Sequence, residues 1–159
     1  MRRRALPPII WLLLGSMALC NVAFFWRPDW QPVHQVDTLT HTVYAYRQWQ
    51  STGVKLAAGD RFTVRARGEW SYSPIVGLNG PAGGRPAVPG YPLPHVLGGT
   101  LIGRVGESGE GFYVGERTTG FAERAGYLLL RINDDLLGDN YGTMTVEIDV
   151  QPAPVTPSP

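Results

Sequence analysis

Hydrophobic and polar residues alternate along two segments of this chain, residues 61–71 and 143–150. Alternation with a period of two is typical of a strand that buries one face, as strands of antiparallel sheets often do. Both segments are therefore predicted to be half-buried strands of an antiparallel sheet. The side chains predicted to point inward are Phe62, Val64, Ala66, Met144, Val146, Ile148 and Val150.

Further short strands are predicted where β-branched and aromatic residues cluster between turn residues. No segment after residue 40 has sustained helical spacing of apolar residues, and we find no internal repeat. About seven or eight short strands joined by turns indicate an all-β domain, for which an antiparallel β-sandwich is the default architecture. The remaining predicted strands are residues 42–49, 54–56, 100–105, 111–114 and 127–132.

The N-terminal segment, residues 1–26, has three arginines followed by an uncharged apolar stretch at residues 9–26. That stretch is just long enough to cross a bilayer as a helix, and the arginines before it would stay in the cytoplasm. We expect a single-pass signal anchor in a bacterial inner membrane, with the rest of the chain in the periplasm. Cleavage, which would give a secreted protein, and lipidation of Cys20 are the alternatives.

The folded domain is predicted to cover residues 41–150. A polar spacer at residues 27–40 precedes it, and a proline-rich tail at residues 151–159, expected to be disordered, follows it. Within the domain, residues 74–99 are so rich in proline and glycine that no regular element is predicted there. We call this stretch the Pro/Gly segment, and a loop of that length is usually functional or disordered.

Charge and cysteine content narrow the function. The chain has 14 basic and 13 acidic residues, but three of the basic ones are the N-terminal arginines. The nearly neutral remainder has no basic block that would indicate nucleic-acid binding. The only cysteine, Cys20, lies in the apolar stretch, so the domain has no disulfide to stabilise it.

Residues 133–140, here called the rim loop, connect two predicted strands and carry three aspartates and two asparagines. Carboxylate, amide and carbonyl oxygens are the ligands that Ca²⁺ prefers, and crowded carboxylates repel one another without a cation. The plain alternative is a solvated hairpin loop, since Asn, Asp and Gly are ordinary turn residues. The loop does not have the spacing of an EF-hand.

Four short motifs give the rim loop a context. In chain order they are residues 66–72 (ARGEWSY), 80–83 (GPAG), 99–106 (GTLIGRVG) and 133–142 (NDDLLGDNYG). Their order and gaps resemble the bacterial galactophilic lectins, the LecA-like domains, over about residues 43–150. The resemblance implies a small jelly-roll-like β-sandwich in which one Ca²⁺ at the rim holds a galactoside through two ring hydroxyls.

The resemblance also implies a set of ligands. The main-chain oxygen of Tyr72 and the side chains of Asp134, Asp139 and Asn140 would bind Ca²⁺, and a carbonyl between Asp135 and Leu137 would complete the protein's share. About five protein oxygens leave two or three positions for sugar hydroxyls. Asp134, Asp139 and Asn140 would therefore also lie against the carbohydrate.

The chain departs from the LecA-like pattern at positions that bear on the choice of sugar. The rim loop is shorter, Asp135 is an extra acid, and Asp139 stands where an Asn is usual. A His and a Gln that hold the sugar's hydroxymethyl group in that family have no clear match, and His95, the nearest candidate, is out of register. Calcium binding is thus the firmer expectation and galactose specificity the weaker one.

No enzyme activity is expected. Glu107 and Glu110 lie in a predicted turn, and residues 106–111 lack the second glycine of a nucleophile elbow. Trp49 and Trp70 are predicted to pack on the sheets, whereas Tyr91 and Tyr113 lie near loops where they could face a ligand. The sequence favours a membrane-tethered, calcium-dependent lectin. A homo-oligomer is one assembly that this interpretation allows. The alternative is a calcium-stabilised structural or protein-interaction module of the cell envelope without sugar binding.

Overall fold

The computed structural model describes residues 38–154, which form nine β-strands and one 3₁₀ turn. The predicted all-β character is confirmed for these residues. The N-terminal segment lies outside them, as do most of the spacer and the end of the tail. Within residues 38–154 no helix is long and apolar enough to cross a membrane. The strands are β1 (Thr38–Tyr44), β2 (Gln50–Leu56), β3 (Arg61–Ser71), β4 (Ala82–Arg85), β5 (Gly98–Val105), β6 (Phe112–Tyr113), β7 (Arg117–Phe121), β8 (Gly126–Ile132) and β9 (Tyr141–Gln151).

The strands form two sheets in which every named pairing is antiparallel. One sheet has the order β1-β9-β3-β7, and the other has the order β2-β8-β5-β4 with β6 also paired to β5. Neighbouring strands are often distant in sequence. In the first sheet β9 lies between β1 and β3, and in the second β8 lies between β2 and β5. Two antiparallel sheets enclosing a shared core are consistent with the predicted β-sandwich.

The core forms from the inward faces of the long strands. Phe62 and Val64 of β3 are buried, as are Met144, Val146 and Ile148 of β9, so the alternation in the sequence correctly predicted the inward face. Trp70 is fully buried and donates its indole N–H to the Gly99 carbonyl at 2.7 Å. The second sheet contributes Leu101, Val105, Leu128, Leu130 and Ile132.

The bounds of several strands differ from the prediction. Strand β1 begins at Thr38, within the segment assigned to the spacer, because its backbone pairs with β9 along its whole length. Strands β4 and β7 were missed. β4 (AGGR) has two glycines, and β7 (RTTGF) buries no side chain fully, so neither has the apolar alternation that would identify it. Both form because a longer strand offers them an edge.

Candidate functional site

Strand pairing brings the two predicted halves of the metal site together. The rim loop connects β8 to β9, and β9 pairs with β3 in a register that sets Tyr141 opposite Ser71. Tyr72, the residue after β3, therefore lies beside the start of β9 although it is 68 positions before Asn140. Gly142 permits this close approach: it has φ +94°, and a Cβ there would meet the Trp70 Cα at 2.9 Å.

The rim loop together with Tyr72, here called the rim, contains buried polar atoms without hydrogen-bond partners. Among residues 38–154, six buried side-chain polar atoms have no hydrogen-bond partner, and four belong to the rim. They are the Tyr72 hydroxyl, Asp134 Oδ2, Asp139 Oδ1 and Asn140 Oδ1. Leaving one such group unsatisfied costs about 1–3 kcal/mol, so four in one place need an explanation. Three of the four, on Asp134, Asp139 and Asn140, are carboxylate or amide oxygens of the kind that bind Ca²⁺ in proteins.

Asn140 is held so that its oxygen stays available. Its side chain is buried, and its Nδ2 donates to the Ala45 carbonyl at 3.3 Å. The main-chain N–H of Asn140 donates to the Leu137 carbonyl at 3.3 Å, which closes the 3₁₀ turn at Leu137–Asp139. With the amide nitrogen engaged, Oδ1 remains a buried acceptor without a partner among residues 38–154.

Asp134 is an acid in an unfavourable place. The residue is 4% exposed, and this burial raises the pKa of its carboxyl above the ordinary value of 3.8. The Asn140 side chain and the main-chain amides of Leu136 and Asp135 lower the pKa in part, while the charge of Asp135 raises it further. A buried carboxylate whose charged form is disfavoured is a strong binding group for a cation.

Arg131 holds the main chain of the rim loop in place. This residue of β8 is 6% exposed and donates to the Asp134 carbonyl at 2.6 Å, to the Ile132 carbonyl at 2.9 Å and to Gln48 Oε1 at 2.6 Å. Its guanidinium carbon lies 5.6 Å from the centroid of the Trp49 ring. The arginine holds Asp134 by its main-chain carbonyl. Oδ2 of the Asp134 carboxylate has no hydrogen-bond partner among residues 38–154. Sequence analysis missed this role, since Arg131 occupies a polar position in an apolar strand.

Asn133 joins the rim loop to the Pro/Gly segment. It is fully buried, accepts from the Leu93 N–H at 2.9 Å, and donates Nδ2 to the Leu93 and Val96 carbonyls, each at 3.0 Å. The side chain is thus occupied by main-chain partners and lies outside the candidate ligand set. Its neighbour Asp134 belongs to that set, so one residue fixes the loop and the next keeps an oxygen without a partner.

Tyr72 offers two oxygens to the rim. Its main-chain carbonyl, the predicted ligand, accepts no hydrogen bond from another residue of the described range. Its hydroxyl is one of the four partnerless atoms, and burial together with the charge of Asp134 raises the pKa of the phenol, with Arg85 acting in the opposite direction. The phenol therefore lies near enough to Asp134 for the charge of that carboxylate to affect it.

The other predicted site residues are placed differently from one another. Asp135 is exposed, and its Oδ2 lies 3.1 Å from where a Cβ on Gly90 would be. The Leu137 side chain packs on the core while its carbonyl closes the 3₁₀ turn. His95 is exposed in the Pro/Gly segment, and none of the hydrogen bonds or ion pairs of residues 38–154 joins it to the rim loop. The ligand and sugar roles of these three stay predictions.

Four other residues considered in the sequence analysis have structural surroundings that explain them. Trp70 is a core residue, and Trp49 packs beneath two cations, with the Arg104 guanidinium 4.4 Å from its ring centroid. Glu107 pairs with Arg104 at 2.7 Å and is 87% exposed, so it is a solvated charge. Asp60 is more than a turn acid, because it is buried and accepts from the amides of Ala57 and Ala153.

The rim is an open surface. A cavity of about 300 Å³ lies elsewhere, against Phe62, Phe112, Tyr113 and Phe121, and none of its lining residues belongs to the rim loop. Within the described range, no three His, Cys, Asp or Glu side chains lie together as a metal cluster. The candidate set differs from such a cluster because it combines two carboxylates with an amide and main-chain carbonyls, a mixture typical of calcium rather than zinc.

The fold has a counterpart among proteins of known structure, and it is lectin-like. The N-terminal domain of EclA, described as a PllA-like lectin, matches with 27% identity and a TM-score of 0.58. The match covers 71% of this chain and 96% of that domain. No family model and no curated protein matches the chain. The lectin-like neighbour agrees with a carbohydrate-binding protein rather than an enzyme.

Proposed function

We propose that this domain is a calcium-dependent lectin that binds a galactoside-type sugar at the rim formed by Tyr72 and residues 134–140. The observation that carries the proposal is the set of three buried, partnerless oxygens on Asp134, Asp139 and Asn140. A single Ca²⁺ would satisfy all three, and the Tyr72 carbonyl is free to join them. The likeness to a domain described as a lectin supports the proposal that this domain binds a sugar.

Charge supports calcium as the occupant. Asp134 and Asp139 together supply two negative charges, which one divalent cation neutralises. Neutral hydroxyls of a sugar are hard donors that could fill the positions left open by the protein. Water molecules alone would satisfy the hydrogen-bonding groups but would add no positive charge, and Arg131 is the one cation bonded to the rim loop within residues 38–154.

Affinity for a single sugar should be modest. The candidate ligands are polar oxygens, and a cavity of about 300 Å³ described above has no lining residue in the rim loop, so we expect a bound sugar to bury little apolar surface. Several copies would then be needed for useful avidity. The apolar stretch at residues 9–26 would concentrate copies at the outer face of the bacterial inner membrane, and a homo-oligomer would have the same effect.

The proposal is tested by titration calorimetry with Ca²⁺ and then with methyl galactoside, before and after EDTA. We expect sugar binding that requires Ca²⁺, with thermal stability that rises with Ca²⁺ alone. Thermal stabilisation by Ca²⁺ without binding to any sugar of a broad glycan panel would favour the structural or protein-interaction module instead. No response to Ca²⁺ at all would contradict the metal site.

A further inference from the structure

Arg85 is a half-buried cation without an anionic partner, and it lies beside the rim. Among residues 38–154, Arg65 and Arg104 are likewise partly buried, and each pairs with a carboxylate. The buried Arg131 has three hydrogen bonds. The Arg85 guanidinium has neither an ion pair nor a hydrogen bond within that range. The Arg85 nitrogens are not among the buried, partnerless polar atoms of that range, so the guanidinium is open to an anion from solution.

Two tyrosines fix the position of Arg85. Its guanidinium carbon lies 5.7 Å from the centroid of the Tyr72 ring, and Tyr72 is the residue whose carbonyl faces the proposed metal. On β4, Arg85 pairs with Gly98 of β5. The Tyr91 hydroxyl packs on Gly98 from the other side, within 2.6 Å of where a Cβ would be. Arg85 and Tyr91 therefore flank one glycine and lie on the Tyr72 side of the rim.

The fold holds this arrangement in place. Asn133 fixes the Pro/Gly segment through the main chain of Leu93 and Val96, so the segment that carries Arg85 and Tyr91 is tied directly to the rim loop. Gly83, with φ +76°, packs β4 against β5, where a Cβ would come within 2.4 Å of the Thr100 hydroxyl. A sugar bound at Asp134 would thus meet a cation in a defined position.

The charge of the whole rim permits an anionic ligand only when the metal is bound. Asp134, Asp135 and Asp139 alone give a rim that repels carboxylates. Arg131, bonded to the Asp134 carbonyl, one Ca²⁺ and Arg85 together set four positive charges against those three, so the metal-bound rim no longer repels an anion. Guanidinium recognises carboxylate through paired N–H donors, a geometry that suits a planar anion better than a hydroxyl.

We infer that Arg85 selects a carboxylated sugar of the hexuronate class at the calcium site. The inference rests on the proposed function, since the metal must hold the ring hydroxyls while Arg85 binds the carboxylate. It assigns a preference among sugars to residues of the Pro/Gly segment, where the family's His and Gln have no clear match.

The test compares methyl galacturonoside with methyl galactoside by calorimetry on the wild type, at one buffered concentration of free Ca²⁺. We expect the uronoside to bind about tenfold more tightly, as one charge-assisted pair provides. Because exposed charges are screened, the preference should shrink as salt is raised. Arg85→Gln should remove it and leave the galactoside affinity within about twofold.

Arg117→Gln is the matched control, because it removes one exposed arginine on β7, away from the rim loop. It should leave the preference unchanged, and both variants should keep the wild-type melting temperature. Equal binding of the two sugars to the wild type, each requiring Ca²⁺, would overturn the Arg85 inference and leave the lectin intact. Binding of neither sugar in the presence of Ca²⁺ would overturn both, and a preference that survives Arg85→Gln would overturn the role of Arg85.

Discussion

Two groups of acids in this domain have opposite surroundings. On the outward face of β9, Asp149 pairs with Arg65 and Glu147 pairs with Arg67, two arginines of the neighbouring β3. In the rim loop, Asp134 and Asp139 have no basic side chain within ion-pair distance among residues 38–154. The Arg65 hydrogen bond holds the pKa of Asp149 below its ordinary value, whereas burial raises the pKa of Asp134.

The difference in pairing distinguishes acids that stabilise the sheet from acids that we propose bind a metal. Asp149 and Glu147 are satisfied within the fold, and nothing further is needed to explain them. Burial disfavours the charged form of Asp134, and a bound cation would stabilise it. The same residue type therefore supports the sheet in one region, and in the other it has unpaired oxygens that we propose bind a metal.

The largest expected effect is that of Asp134→Asn. The amide nearly preserves the shape of the side chain but removes a charged ligand, so Ca²⁺ should no longer stabilise the protein and sugar binding should be lost. For the wild type at 100 times the calcium dissociation constant, that stabilisation is about 2.7 kcal/mol. Urea unfolding with and without Ca²⁺ measures it.

Asp149→Asn is the control for that variant, since it neutralises an acid of the paired group. Its response to Ca²⁺ should equal that of the wild type. If Asp134→Asn keeps the wild-type calcium affinity, the assignment of Asp134 as a ligand is wrong.

A smaller loss is expected for Arg131→Lys. Lysine cannot donate to the Asp134 and Ile132 carbonyls and to Gln48 together, so the rim loop should lose its fixed geometry. Changes in groups that orient metal ligands typically reduce affinity about 10–100-fold. Calorimetric titration with Ca²⁺ measures the effect.

Arg104→Lys provides the comparison, because Arg104 also packs on Trp49 but binds no atom of the rim loop. It should keep the wild-type calcium affinity. Equal losses in the two lysine variants would show that Trp49 packing, and not the bond to Asp134, explains the effect.

Acid titration should separate the two groups by the sign of their effect in the calcium-free protein. The raised pKa of Asp134 gives a contribution to stability that is fully present below pH 3.8 and is lost as the pH rises through the folded-state pKa. The lowered pKa of Asp149 gives a contribution that is present above pH 3.8 and is lost as the pH falls through the folded-state pKa.

Urea unfolding in EDTA at a series of pH values measures both slopes. Asp134→Asn should remove the loss of stability above pH 3.8, and Asp149→Asn should remove the loss below it. The comparison fails if both substitutions change the same side of the profile.

The smallest effect belongs to the paired group. Arg65 is 41% exposed, so its ion pair is screened by solvent, and Arg65→Gln should lower the free energy of unfolding by only about 0.2–1 kcal/mol. The loss should diminish in high salt, and calcium affinity should not change. A loss well above 1 kcal/mol that persists in high salt would place Arg65 in the structural core of the sheet.

Much of the fold could be predicted because it depends on local patterns. The alternation in residues 61–71 gave β3 with its observed bounds, and the alternation in residues 143–150 gave the buried face of β9. Strand β4 could not be predicted, since its pairing with β5 depends on the edge of another strand and two of its four residues are glycine.

For the candidate site, the sequence determined which donor atoms are present. The carboxylates and amides of the rim loop suit a hard cation, but a solvated hairpin loop was the alternative, and the order of the four motifs favoured calcium. The same residues did not indicate which of them would bind. Asn133, equally polar, turns inward to fix the Pro/Gly segment, while its neighbour Asp134 keeps an unpaired oxygen.

Only the tertiary structure decided which groups meet. The register of β3 against β9 places Tyr72 beside Asn140, and the pairing of β4 with β5 places Arg85 over Tyr72. These contacts join residues far apart in sequence, so they depend on which strand edges pair and on glycines that permit close approach. The chain thus supplies the oxygens locally, and the packing of two sheets gathers them at one rim and leaves them without partners.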